Sequence, residues 1–252
     1  MQMRSPSPQV HFLMADFPPV HYTAEEHETW QILLARFAAM IPRYMCQQYL
    51  DGFAKMAFPQ SHIPHLADVQ ARLQRYAPWR IRRVSGIVPD ADFYGAFAEQ
   101  SFPSNDFIRA RADIDYTPSP DIFHEIVGHV PILTDPTMAA FTQKLGAFAR
   151  QVLAAHGPSQ LVPLARIYWY TLEFGLLATP QGIKILGAGF APGEMMHAFT
   201  DGVQRLPFSI AAVAAHPYNY WEMQDTLFVI PSLAEMEADF DAWAATFVPQ
   251  AW

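Results

Sequence analysis

Apolar residues recur at helical intervals soon after Thr23-Ala24-Glu25-Glu26. Trp30, Leu33, Leu34, Phe37 and Ile41 fall on one face of a 3.6-residue repeat. The four residues that precede them form a capping box, in which a threonine hydroxyl and a glutamate three places on satisfy each other's backbone amides. This predicts a long first helix that ends or kinks at Pro42. A second helix is expected over 44–58 and a third from Ile63 to about Tyr76. Trp79-Arg80-Ile81-Arg82-Arg83-Val84 instead alternates apolar and basic positions, the two-residue period of a half-exposed strand. Ser85 to Phe93 reads as a loop, and Thr137 to Ala155 as an amphipathic helix closed by Gly157-Pro158. Ile167 to Leu177 reads as a buried helix, and Ile183 to Gly189 as a strand running into a turn. Helical pattern returns from Glu194 to Phe199. Asp225 to Ile230 is a second strand, expected to pair with the first, and Leu233 to Phe247 a closing helix. The proline-rich stretch 1–22 lacks periodicity and is expected to be an extended arm before a single domain over 23–252. The expected fold is mostly α with a few short β-strands. Without repeated β–α alternation, a doubly wound sheet is not expected.

Composition narrows the class. A chain of 252 residues, 51% hydrophobic and 14% aromatic, can bury one large core. No apolar run reaches the roughly 18 to 20 residues of a membrane-spanning helix. The opening Met1-Gln2-Met3-Arg4-Ser5-Pro6 lacks the apolar core of a secretory signal. The single cysteine, Cys46, can form no internal disulfide and fits a reducing cytoplasm. A net charge of −8 with only 16 Lys+Arg disfavours nucleic acid as a partner. Arg80, Arg82 and Arg83 are therefore read as a solvated strand face.

The chemistry concentrates in Pro120-Asp121-Ile122-Phe123-His124-Glu125-Ile126-Val127-Gly128-His129-Val130-Pro131. Two histidines five apart, flanked by apolar residues, point to an interior pocket, and imidazole is a standard ligand for zinc, iron and copper. On a straight α-helix, positions five apart stand roughly 140° from each other at about 100° per residue. The two rings can converge if the helix ends between them, and Gly128 with Pro131 is the expected ending. The spacing also differs from the H-E-x-x-H of zinc peptidases. Hydrogen-bonded core histidines are the alternative. Downstream, Glu173 is the only charge in Ile167-Tyr168-Trp169-Tyr170-Thr171-Leu172-Glu173-Phe174-Gly175-Leu176-Leu177. Burying an unpaired carboxylate costs several kcal/mol, so a cation, a metal or a proton should accompany it. A salt bridge to Arg109 or Arg111 is one solution. Two histidines and a carboxylate on one metal, the facial triad of non-haem Fe(II) oxygenases, is the other.

The run from Pro120 to Leu133, preceded by Tyr116-Thr117-Pro118-Ser119 and followed by Ile167 to Leu176, resembles the pterin-dependent aromatic amino acid hydroxylases. The resemblance extends in order from about Trp30 to about Val229. It implies the single-domain catalytic fold of that family and Fe(II) held by His124, His129 and Glu173. It implies a tetrahydropterin as two-electron donor with O2, and an aromatic amino acid, phenylalanine foremost, as substrate. Gly86, Val88, Phe93, Glu125 and Tyr168 would line the pterin site. Phe93 would stack on the ring, and Glu125 would act as a catalytic residue without ligating the metal. Arg109, Thr117 and Asp121 would hold the carboxylate and amino groups of the substrate, while Trp169 and Phe174 would wall its ring. Asp121 equally suits a role orienting His124.

Two departures fall on the substrate side. The turn Gly187-Ala188-Gly189-Phe190-Ala191-Pro192-Gly193-Glu194 is about two residues shorter than in the resembled family and lacks its serine pair. Ser119 also stands where animal members carry an acid. A monomer is expected, since the family's regulatory and tetramerisation segments find no room. A metal-binding protein without turnover, or a hydrolase using Glu125 as base, are the readings that compete with the hydroxylase.

Overall fold

Helix formation begins where the capping box places it. In the computed structural model, which describes residues 20–115, 117 and 119–250, Thr23 Oγ1 accepts from the Glu26 amide at 3.3 Å. The Glu26 carboxylate accepts from the Thr23 amide at 2.7 Å. Helix α1 (Ala24–Tyr44) follows, burying the predicted stripe from Trp30 to Ile41. Pro42 lies within its last turn. Helices α2 (Gln47–Met56) and α3 (Leu66–Leu73) fall inside their expected spans. The expected arm over 1–22 lies almost wholly outside the described residues.

The strand predicted after Trp79 is β1 (Arg80–Arg83), and it pairs in parallel with β2 (Ser101–Ser104). Helix α4 (Asp90–Ala98) crosses between them. One β–α–β unit therefore exists where none was expected, and the loop over 85–93 gives way to helix at Asp90. Both elements are poorly signalled for physical reasons. Tyr94, Ala96 and Phe97 are buried and most of the rest of α4 is half-covered, so the helix has little polar face to set a period. Ser101-Phe102-Pro103-Ser104 offers one large apolar residue and a proline, a weak strand by propensity. Two arginines of β1 meet acids: Arg82 pairs with Glu99 at 3.1 Å and Arg83 with Asp106.

Helix α5 (Pro136–His156) starts at Asp135, whose carboxylate accepts from the Thr137 and Met138 amides at 3.0 Å each. It ends at Gly157. Helix α6 (Val162–Tyr168) then runs toward Glu173, but the helix expected to reach Leu177 stops short of it. Leu176 opens strand β3 (Leu176–Thr179), a hairpin partner of β4 (Gly182–Ile185). A short apolar run carries no periodicity that separates helix from strand. After α7 (Pro192–His197), β5 (Gln204–Pro207), α8 (Ile210–Ala215) and β6 (Thr226–Ile230), the described chain closes with α9 (Leu233–Ala245). The sheet order is β4-β3-β6-β5, with β3–β6 and β6–β5 parallel. The two predicted strands share this sheet but do not pair, because β3 lies between them. Among the described residues no helix is long and apolar enough to cross a membrane.

Two packings fix the frame around the interior. Phe123 meets Trp30 at 5.5 Å and Phe37 at 5.9 Å, both edge to face, so α1 braces the start of the histidine segment. Helix α4 lies against α5 at Gly146, where a Cβ would come within 2.5 Å of Phe97 Cβ and of the Ala98 amide nitrogen. Gly146→Val should therefore force the helices apart and cost about 1–3 kcal/mol or more. Equilibrium urea unfolding reads this directly. An unchanged midpoint would show that α4 can yield without cost.

Candidate metal centre and its cavity

The helix carrying the two histidines does not end between them. Phe123–His129 winds as a π-helix, whose i→i+5 ladder stacks residues five apart on one side. The expected break at Gly128 is replaced by a wider turn, and it brings His124 Nε2 and His129 Nε2 to 3.2 Å. The same device recurs at the end of α6. Trp169–Glu173 is a second π turn, with the Phe174 amide donating to the Trp169 carbonyl five residues back at 2.7 Å. Tyr168 and Glu173, again five apart, meet there: the phenol donates to Glu173 Oε1 at 2.8 Å.

The two turns face each other. Glu173 Oε1 lies 3.1 Å from His129 Nε2 and 3.8 Å from His124 Nε2. Among the described residues these three side chains form a group of potential metal ligands, with donor atoms within 4.8 Å of one another. Donors spaced by 3 to 4 Å suit neighbouring positions around one ion with bonds of about 2.1 Å. The electrostatics agree. Burial opposes charge on Glu173, yet the adjacent imidazoles of His129 and His124 hold its carboxyl well below the usual carboxylate range. Burial also disfavours the His124 imidazolium, but Glu173 more than offsets this and holds its pKa up at about 9. His129 is lowered by burial, with Glu173 opposing. The residues therefore fit an iron ion held by His124, His129 and Glu173. The salt bridge to Arg109 or Arg111 considered for Glu173 does not form.

Backbone contacts keep the second turn in place. The Ala188 amide donates to the Leu172 carbonyl and the Gly189 amide to the Glu173 carbonyl, both at 2.8 Å. A Cβ on Gly187 would stand 2.1 Å from the Glu173 carbonyl oxygen, so only glycine permits this approach. The first turn is secured by the Tyr49 phenol, which donates to the Val127 carbonyl.

Arg109 is engaged elsewhere. Its Nε and backbone amide donate to Asp121 Oδ2 at 2.8 and 2.9 Å, and Nη2 to Oδ1 at 2.9 Å. The His124 amide adds a fourth bond to Oδ1 at 3.0 Å. Burial would raise the Asp121 carboxyl, but Arg109 outweighs it and lowers it. Asp121, expected to help hold the substrate, is fully enclosed and does not line the cavity. It anchors Arg109 to the start of the π-helix.

A cavity of about 800 Å³ opens over His124 and Glu173. Every residue expected to touch cofactor or substrate lines it except Asp121: Gly86, Val88, Phe93, Glu125 and Tyr168, and Arg109, Thr117, Trp169 and Phe174. His129 sits behind the cavity wall against Phe102, ring centroids 5.0 Å apart. Phe93 is half-buried, packed at 4.5 Å on Phe97 and 5.3 Å on Tyr168. Burial raises the Glu125 carboxyl to about 8, with Glu173 adding and His124 opposing.

Among the lining residues not predicted from sequence, three stand out. Asn105, buried, accepts from the Gly86 amide at 2.8 Å and donates to the Pro120 carbonyl at 2.9 Å, tying loop to metal segment. Tyr218 stacks on Trp169 at 4.2 Å and 11°. Glu194 reaches the cavity from α7. None belongs to a spacing pattern; the proximity of each to the site is purely tertiary.

Comparison with known proteins agrees with this geometry. A family model described as biopterin-dependent aromatic amino acid hydroxylase matches residues 10–251. The chain is 36% identical over 219 residues to the phenylalanine-4-hydroxylase of Pseudomonas aeruginosa, spanning 86% of this chain and 82% of that one. It superposes on the apo, cold-active phenylalanine hydroxylase of Colwellia psychrerythraea with a TM-score of 0.83 and 34% identity, covering 90% of this chain and 89% of that one. With the phenylalanine hydroxylase of Chromobacterium violaceum bearing oxidized Fe(III), the TM-score is 0.82 and the identity 31%, over 89% and 83% of the two chains.

Ligands and their supports should separate in a metal titration. Glu173→Ala removes a donor and should abolish stoichiometric retention of Fe(II) or Co(II). Tyr168→Phe removes only the hydrogen bond to Oε1 and should weaken metal affinity by about 10- to 100-fold while leaving the stoichiometry intact. Unchanged affinity in Tyr168→Phe would remove the phenol from the metal site.

Proposed function

The chain belongs to the biopterin-dependent aromatic amino acid hydroxylases, and we propose that within this family it hydroxylates phenylalanine at ring position 4. It is a monooxygenase whose cofactors are Fe(II) and a tetrahydropterin. Together they supply the activation of O2 that insertion of oxygen into an aromatic ring requires. The observation that carries the substrate reading is one cavity joining an arginine, an aromatic box and two of the metal ligands, His124 and Glu173. The names of the similar proteins point to phenylalanine and to the 4-position.

In this reading the residues divide the work. Trp169 and Phe174, 4.8 Å apart between ring centroids, receive the substrate ring. Trp169 is fixed by its stack on Tyr218 and by donation to Gln224 Oε1 at 3.1 Å. Arg109 meets the substrate carboxylate with the donors that Asp121 leaves over: both Nη1 protons and one on Nη2. Thr117 adds a hydroxyl at the cavity edge. Phe93 offers its face to the pterin, with the backbone of Gly86 and Val88 alongside. Glu125, its carboxyl raised by burial, faces the same space as a proton donor or acceptor that adds little fixed charge. A metal-binding protein without turnover would have no use for this complete set. We further place the enzyme in the cytoplasm, a reading supported by its single, buried thiol, Cys46, pushed up to about 11 by burial; a monomer is the expected state.

If Phe93 stacks on the cofactor, Phe93→Ala should raise the KM for pterin about threefold to tenfold and leave that for phenylalanine nearly unchanged. Equal rises for both would make Phe93 a packing residue. Arg109→Lys keeps the charge but not the planar fork. It should lower kcat/KM for phenylalanine about tenfold or more, and should spare 2-phenylethylamine, which has no carboxylate to grip. Equal losses on the two compounds would make Arg109 purely structural and remove the main support for an amino-acid substrate.

A further inference from the structure

An α-amino acid brings two charges, and Arg109 answers only one. Asp121, which resemblance assigned to the substrate's polar groups, has its carboxylate occupied by four donors and is closed off from the cavity. The serine pair that resembled proteins carry after the glycine turn is also missing here. The cavity nevertheless contains another carboxylate on that same side. Glu194 lies in the first turn of α7, five residues beyond Gly189, and lines the cavity together with Arg109 and His124.

The surroundings of Glu194 are those of an acceptor kept open. Arg109 and His124 are the charged groups that favour its ionised form. Burial is the largest effect on it and raises its pKa. Among the described residues no side chain donates a hydrogen bond to it. Arg109 is paired with Asp121, not with Glu194. The donors that Arg109 has left over and the carboxylate of Glu194 thus line one cavity without bonding each other. That arrangement is complementary to a zwitterion, whose carboxylate and ammonium sit on one carbon.

We propose that Glu194 receives the substrate's α-ammonium group and makes this site selective for free α-amino acids over aromatic acids that lack an amine. The proposal rests on the amino-acid reading above and specifies its second anchor. Charge-assisted hydrogen bonds gain strength in a cavity sheltered from water. The isosteric change Glu194→Gln removes the charge while keeping shape, and Glu194→Asp keeps the charge on a shorter arm.

Anaerobic calorimetry of the Fe(II)-loaded enzyme with L-phenylalanine, 3-phenylpropionate and the tetrahydropterin tests this without turnover. Glu194→Gln should weaken L-phenylalanine by about tenfold or more. It should leave 3-phenylpropionate and the pterin unchanged, and their retained binding shows an intact fold. Glu194→Asp should keep a preference for the amino acid, and it provides the test if Glu194→Gln does not fold. Equal weakening of both aromatic ligands, or no weakening of L-phenylalanine, overturns the assignment. Failure of the phenylalanine reading looks different: the wild-type enzyme then hydroxylates another aromatic amino acid. Glu194 is in that case decided by the same comparison on that amino acid and its deaminated analogue. A wild-type enzyme that accepts no amino acid overturns both.

Discussion

Residues five apart on an α-helix point away from each other, and this site needs two such pairs to converge. The solution is two π turns, Phe123–His129 and Trp169–Glu173. One aligns His124 with His129, and the other aligns Tyr168 with Glu173. A π turn is poorly bonded by itself and is rare outside functional sites, so neighbouring chain must hold it. The Tyr49 phenol takes the Val127 carbonyl, and amides of the Gly187–Gly189 turn take those of Leu172 and Glu173. Removing these supports would let the segments relax toward ordinary helix and separate the ligands.

Three buried acids near the cavity show how environment assigns roles to one functional group. Glu173 is held ionised by two imidazoles and serves as a ligand. Asp121 is held ionised by Arg109 and serves as a brace, fixing both the guanidinium and the first residue of the ligand pair. At Glu125 the pull of His124 is too weak to offset burial, which raises the carboxyl to about 8. The chemistry differs because the partners differ.

The Asp121 carboxylate also links two parts of the reaction. It accepts three bonds from Arg109 and a fourth from the His124 amide, so the proposed substrate anchor and the metal segment share one rigid joint. Small errors in placing a substrate near a reacting centre cost large factors in rate. A shared joint suppresses such errors. Asn105 connects the Gly86 loop to Pro120 and so sets that wall of the cavity against the same segment.

The sequence by itself singled out His124, His129 and Glu173 as candidate metal ligands, because a lone carboxylate in an apolar run and two histidines in another each need a partner, but only the fold brings the three together. It also determined the helices with one wet face: α1 and α5 announce themselves through period, cap and terminating residue. It did not determine α4 or β2, where burial on several sides and a proline erase the pattern. Nor did it reveal β3, since Leu176 and Leu177 suit a buried helix as well as a strand. Spacing showed that the histidines needed an irregular helix but not which irregularity, because a helix end and a π turn both bring residues five apart together. Asp121 and Glu194 look equally available in the chain. Only the tertiary structure encloses one around Arg109 and leaves the other facing the cavity, because access to a carboxylate is a property of what packs over it.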